Sequence, residues 1–106
     1  MEMLHTIVEL EPFQKDAAKA LTRREQEWVV WTLAGDPTKG VLLDGGIRKM
    51  RVAASGKGKS GGARVIYYFA GKRGKVFLLA VFAKNEKGNL TKSELKELGK
   101  LAKTLK

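Results

Sequence analysis

The run Ala63-Arg64-Val65-Ile66-Tyr67-Tyr68-Phe69 constrains the fold of this chain more than any other stretch. It is rich in β-branched and aromatic residues and apolar on both faces apart from Arg64, the signature of a central strand. Its neighbours are close in sequence. Ile47 to Ala54 alternates, with Met50, Val52 and Ala54 on one face beside Arg48, and Lys49, Arg51 and Ala53 on the other. One face of that strand therefore packs while the other carries charge. Lys75 to Phe82 is again apolar throughout, and Gly71-Lys72-Arg73-Gly74 supplies the turn that joins it to the central run. A β-meander is the simplest connection of the three.

The rest of the chain reads as one further strand and three helices. Thr6 to Leu10 alternates weakly and predicts a short first strand. Pro12 opens a helix whose apolar stripe is Phe13, Ala17, Ala20 and Leu21. Thr22-Arg23-Arg24-Glu25 is a capping-box pattern that starts a second helix. That helix stops at Gly35, where easy access to positive φ suits a cap, and Asp36-Pro37 follows as a breaker. Its Trp28 and Trp31, spaced i and i+3, read as core or helix-pair packing. Lys39 to Gly46 reads as a connection. Leu90 and Leu95 form a hydrophobic staple around a second capping box, Thr91-Lys92-Ser93-Glu94. The final helix presents Leu95, Leu98, Leu101, Ala102 and Leu105 along one stripe, with Lys92, Lys96, Lys100 and Lys103 as a solvated face. The prediction is an α+β fold over a single domain, residues 1–106. It has an antiparallel or mixed sheet of about four strands in the order β-α-α-β-β-β-α, with two N-terminal helices and one C-terminal helix.

Charge is segregated along this chain. Gly45 to Asn89 holds eleven Lys and Arg against one acid, Glu86, which accounts for the whole net charge of +10. Outside that stretch ten Lys and Arg balance ten Asp and Glu. Such segregation points to a polyanionic partner more strongly than a high isoelectric point would. A chain of 106 residues has one core and little room for a deep private cavity, so an exposed or concave surface site is expected. There is no cysteine, which excludes disulfides and thiolate metal sites and suits a reducing cytosol. Met1-Glu2-Met3-Leu4-His5 lacks the pattern of an export signal, and no window approaches about eighteen apolar residues, so no membrane span is expected.

The chemistry is narrowed by what is missing. Gly58-Lys59-Ser60 ends like a P-loop, but Ala53 stands where the first motif glycine belongs and a strand follows instead of a helix. His5 is the only histidine and the acids are scattered, so no metal or other cofactor is expected. With neither a histidine pair nor a carboxylate dyad near the basic stretch, lysine and arginine remain. They can promote attack of an RNA 2′-hydroxyl on the adjacent phosphodiester, because the transition state gathers negative charge. A lysine crowded by cations has a lowered pKa and exchanges protons near neutrality, whereas arginine stays protonated and serves as a clamp. Pairing the two apolar strands through Gly71 to Gly74 would bring Arg64, at the start of one, beside Lys84, just past the end of the other.

The string Gly45-Gly46-Ile47-Arg48-Lys49-Met50-Arg51, the loop Gly56-Lys57-Gly58-Lys59-Ser60-Gly61-Gly62, the strand Arg64-Val65-Ile66-Tyr67-Tyr68, the exit Ala83-Lys84-Asn85-Glu86 and the closing Leu90-Thr91 carry a family resemblance. Together they resemble the RelE/HigB-type toxins of bacterial type II toxin-antitoxin modules, over essentially the whole chain. The resemblance implies a RelE-like fold and cleavage of mRNA in the ribosomal A site, with the 2′-hydroxyl attacking and a 2′,3′-cyclic phosphate left behind. It implies catalytic roles for Lys57 and Lys59, either of which would be the proton acceptor, and for Arg64 and Lys84. It also implies rRNA contacts at Arg48, Lys49, Arg51, Arg73 and Lys75. The implied partners are mRNA, the ribosome and a cognate antitoxin of HigA-like helix-turn-helix type, in the cytoplasm. RelE proper has a base-stacking tyrosine near where Leu90 falls here, which leaves Tyr68 or Phe82, each reading as core, as the aromatic substitutes. The rival readings are a gyrase-inhibiting ParE-like toxin and a ribosome- or RNA-binding protein without nuclease activity.

Overall fold

The computed structural model describes residues 4–53, 61–71 and 74–105. The chain runs β1 (Ile7–Glu9), α1 (Glu11–Ala20), α2 (Arg23–Gly35), β2 (Val41–Leu42), a 3-10 turn (Asp44–Gly46), β3 (Ile47–Val52), β4 (Ala63–Phe69), β5 (Val76–Ala83) and α3 (Lys92–Ala102). The strands form one mixed sheet in the order β1-β5-β4-β3-β2. β3, β4 and β5 are the expected antiparallel meander, and β1 joins parallel to β5. The sheet has five strands where about four are predicted. The addition is β2, which pairs Val41 with Lys49 and Leu42 with Arg48 inside the predicted connection. At two residues, both exposed, it is too short to show an alternation.

Each face of the sheet has its own apolar cluster. α1 and α2 bury Phe13, Ala17, Val29 and Leu33 against Met50, Val52, Val65, Tyr67, Val76, Leu78 and Val81. α3 covers part of the opposite face, laying Leu95, Leu98, Ala102 and Leu105 over Ile47, Ile66, Phe77 and Leu79. Both predicted capping boxes form: Thr22 accepts from the Glu25 N–H and Thr91 from the Glu94 N–H, and each glutamate accepts from the backbone N–H of its threonine. Each satisfies two of the backbone donors that a helix start leaves without intrahelical partners.

Two local expectations fail. Gly35 ends α2 without positive φ; the chain leaves through Asp36 at φ −144°, whose N–H still bonds to the Thr32 carbonyl. Trp28 and Trp31 are exposed, at 46% and 67%. α2 turns Val29, Leu33 and Ala34 to the core, and the helical period then carries both tryptophans to the other side.

Tyr67 locks the α2–β3 connection to the sheet. Its fully buried ring sends the hydroxyl to the Pro37 carbonyl at 2.8 Å, and the same oxygen accepts from the Gly40 N–H at 2.8 Å. Burial is the main cause that raises its pKa, so the phenol keeps the proton it donates. Gly40 is needed at this approach, since a Cβ there would stand 2.8 Å from the Tyr67 hydroxyl and 2.9 Å from the Lys49 carbonyl.

Candidate active site

α3 lies over one end of its sheet face, and the other end carries cations. Lys49 and Arg51 project from β3 on this face, and Arg64 projects from β4. Register pairs Arg51 directly with Arg64, and Arg64 in turn with Phe82 on β5. Like charges directly opposite on neighbouring strands oppose folding, so a guanidinium pair held in this way is suited to a bound anion.

Arg64 and Lys84 converge as predicted, and Gly61-Gly62 brings them together. Both glycines adopt positive φ, 80° and 74°, which turns the chain sharply into β4. The Gly62 carbonyl accepts from the Lys84 N–H at 3.0 Å, extending the β4–β5 ladder past Ala63 and Ala83. The Lys84 side chain lies along Gly61, where an added Cβ would stand 3.1 Å from Lys84 Cγ. Arg64 Nη1 donates to the carbonyls of Gly61 at 3.0 Å and Ala63 at 3.2 Å. Among the described residues Arg64 forms no ion pair, with Glu86 or any other acid. Its Nε and Nη2 donate to no described residue, which leaves a fork of N–H groups for a phosphate.

A bulge in β5 sets what lies beside this pair. Tyr67 pairs with Leu78 but Ile66 pairs with Ala80, so one extra residue is accommodated on β5. Leu79 and Ala80 then both face the α3 side, and Phe82 returns to the face of Arg64. Phe82 is half-buried, with the Lys87 ammonium 5.6 Å from its ring centroid. Tyr68, the other aromatic candidate for base stacking, is likewise half-buried and stacks on Phe77 at 6.5 Å. Lys87 also binds Glu94, and that hydrogen bond is the main cause lowering the Glu94 pKa.

The remaining candidates do not all gather here. Arg48 points to the opposite face, where it donates to the carbonyls of Thr38 and Gly40 and braces the α2–β2 connection. Lys75 precedes β5 at the far end of the β4–β5 pair, away from Gly61. Lys57, Lys59 and Arg73 lie outside the described residues. Lys87, which the sequence reading left out of the site, joins it through Phe82; its only signal in the sequence is a place just after the β5 exit. Among the described residues no group of three or more His, Cys, Asp or Glu is placed to hold a metal ion, and no helix is long and apolar enough to cross a membrane.

The family of the RelE toxin of the RelE / RelB toxin-antitoxin system matches residues 36–106, which takes in β2 to α3 and every cation of the cluster. The chain belongs to the RelE toxin family. It is thus the toxin of a toxin-antitoxin system, and an antitoxin is its partner. Among solved structures, a double arginine-to-alanine mutant of the E. coli toxin RelE in its free state is similar, with a TM-score of 0.60 at 18% identity. The match covers 91% of this chain and 98% of that one. At that identity the likeness establishes a shared fold, and at that coverage it reaches ahead of the residues that the family match spans.

Proposed function

We propose that the protein is a ribosome-dependent mRNA endoribonuclease that inhibits translation by cutting messages as they are read. The observation that carries this reading is the meeting of Arg64 and Lys84 on Gly61, on an open sheet face that also presents Arg51 and Lys49. The attacking 2′-oxygen forms a bond to phosphorus while the bond to the 5′-oxygen of the next nucleotide breaks, leaving a 2′,3′-cyclic phosphate and a 5′-hydroxyl. Arg64 holds the non-bridging oxygens with Nε and Nη2, which donate to no described residue, and Lys84 offsets charge at the same centre. Lys57 or Lys59 takes the 2′-hydroxyl proton, and the departing 5′-oxygen takes up a proton from solvent. In this reading the cations themselves stabilise the developing negative charge, the part a metal ion would otherwise take.

The antitoxin, in this reading a HigA-like helix-turn-helix protein, silences the toxin until it is released. The chain acts as one domain in the cytoplasm, where ribosomes translate. Primer extension on a translated message tests the proposal. Wild-type protein should produce cuts at fixed codon positions, and Arg64→Ala should reduce them by about 10²- to 10³-fold, the usual loss on removing one transition-state donor. Growth arrest with intact message would overturn it and favour a gyrase-type target.

A further inference from the structure

The three lysines of α3 and Lys103 at its C-cap line one groove. Lys92, Lys96, Lys100 and Lys103 fall within an arc of about 80° and extend for about 16 Å, at 100° and 1.5 Å per residue. All four are exposed, and all border a groove of about 480 Å³ between α3 and the 3-10 turn. Its floor is the close packing of Gly45 on Gly99, and Asp44 is the one carboxylate in its lining. An amphipathic helix sets its charged residues opposite the apolar stripe, and the part of that side which borders the groove carries lysine and no glutamate. Among the ion pairs of the described residues only Lys100 of the four takes part, with Glu97 at 3.7 Å, and both side chains are more than half exposed. Such a pair exchanges readily for a phosphate.

The rim does not stand alone. Lys49 Nζ donates to Asn89 Oδ1 at 3.4 Å, which ties the charged face of β3 to the segment leading into α3. From Arg51 through Lys49 the β3 cations run toward the 3-10 turn, and Gly99 of α3 meets Gly45 there. The helix lysines thus continue the line of the β3 cations away from Arg64. Successive lysines four residues apart are about 6 Å apart along the axis, a spacing of the order of that between phosphates in an extended strand. The groove offers little enclosure for a partner side chain, and it lies at the 3-10 turn, past the end of β3 that is away from the Arg51–Arg64 pair.

We propose that this rim is a phosphate track for single-stranded RNA, holding the strand that leaves the Arg51–Arg64 pair. The inference rests on the ribonuclease reading and extends its binding surface by several nucleotides. It also replaces the view of these lysines as a merely solvated face.

The test compares wild type, the triple variant Lys96→Gln/Lys100→Gln/Lys103→Gln and the matching triple lysine-to-arginine variant, each with an unchanged melting midpoint as the fold check. Binding is measured to a single-stranded RNA of about twelve nucleotides and to a trinucleotide, across a salt series. For the longer RNA the slope of log K against log salt should be shallower by about 2 in the glutamine variant, since each lost contact to a single strand removes about 0.7. Arginine should restore it, and the trinucleotide should show no such change. An unchanged slope on the longer RNA overturns the track. So does loss of binding to a poly-glutamate peptide with RNA binding intact, which would assign the rim to an acidic protein. Message cleavage by the wild type is scored separately: no cleavage with a lysine-dependent slope rejects the ribonuclease and keeps the track, and cleavage with an unchanged slope does the reverse.

Discussion

On the side of the sheet that α1 and α2 cover, Met50, Val52, Val65, Leu78 and Val81 meet Phe13, Val29 and Leu33, and the polar group that enters, the Tyr67 hydroxyl, has both a donor and an acceptor partner. On the other side α3 covers Ile47, Ile66, Phe77 and Leu79 and then stops, and the same strands go on to present Lys49, Arg51 and Arg64. The strands are shared, so the contrast arises from which residues alternate to each side and from how far each helix layer reaches. One side is built for stability. The other accepts a cross-strand pair of guanidiniums that works against folding, which makes sense where an anion is to be bound.

Substitutions at four positions probe the contrast between the two sides of the sheet. The largest effect is expected at Phe13, which α1 buries fully against the sheet: Phe13→Ala should lower the unfolding free energy by about 3–5 kcal/mol in a denaturant titration. Tyr67→Phe keeps the ring but strands the Gly40 N–H and the Pro37 carbonyl, and should cost about 1–3 kcal/mol by the same measurement. Arg51→Gln should show the opposite sign. Relief of the opposed charge should raise stability by about 0.2–1 kcal/mol. The same variant should make the salt dependence of RNA binding shallower by about 0.7. If Arg51→Gln is as destabilising as Tyr67→Phe, the two sides are not divided as described.

The smallest effect is expected at Glu94. Its hydrogen bond from Lys87 depresses the folded-state pKa below the ordinary 4.5. A depressed carboxylate stabilises the fold above its unfolded pKa, and that contribution is lost as pH falls through the folded value. Glu94→Gln should therefore leave a shallower decline in melting midpoint between neutral pH and about pH 3. Because Glu94 is exposed and also caps α3, the variant will show a modest change at neutral pH as well.

Much of the fold was legible because its signals are local. Thr22 and Thr91 announce helix starts with a glutamate three residues on, and both boxes form. The alternation of Ile47 to Val52 assigned Lys49 and Arg51 to one side and Arg48 to the other, which the packing bears out. The meeting of Arg64 with Lys84 followed from the turn that pairs their strands. The failures concern features with no periodic signature. β2 is too short to alternate, and Trp28 and Trp31 matched a helical spacing that fits either side of α2 until Val29 and Leu33 claimed the core. The bulge at Leu79 and Ala80 is invisible in a strand apolar throughout, yet it decides that Phe82 faces Arg64.

The elements and their order, the segregation of charge, and the limitation of the site chemistry to lysine and arginine are readable from the chain alone, because they depend on residue type and near spacing. Which cations share a surface emerges from the fold. It set Arg48 to bracing a loop and Lys75 at the end of the β4–β5 pair away from Gly61, and it placed Arg51 against Arg64 and the lysines of the last helix along a groove at the 3-10 turn. Register, bulges and the reach of a covering helix are properties of pairs of distant segments, and no single segment encodes them.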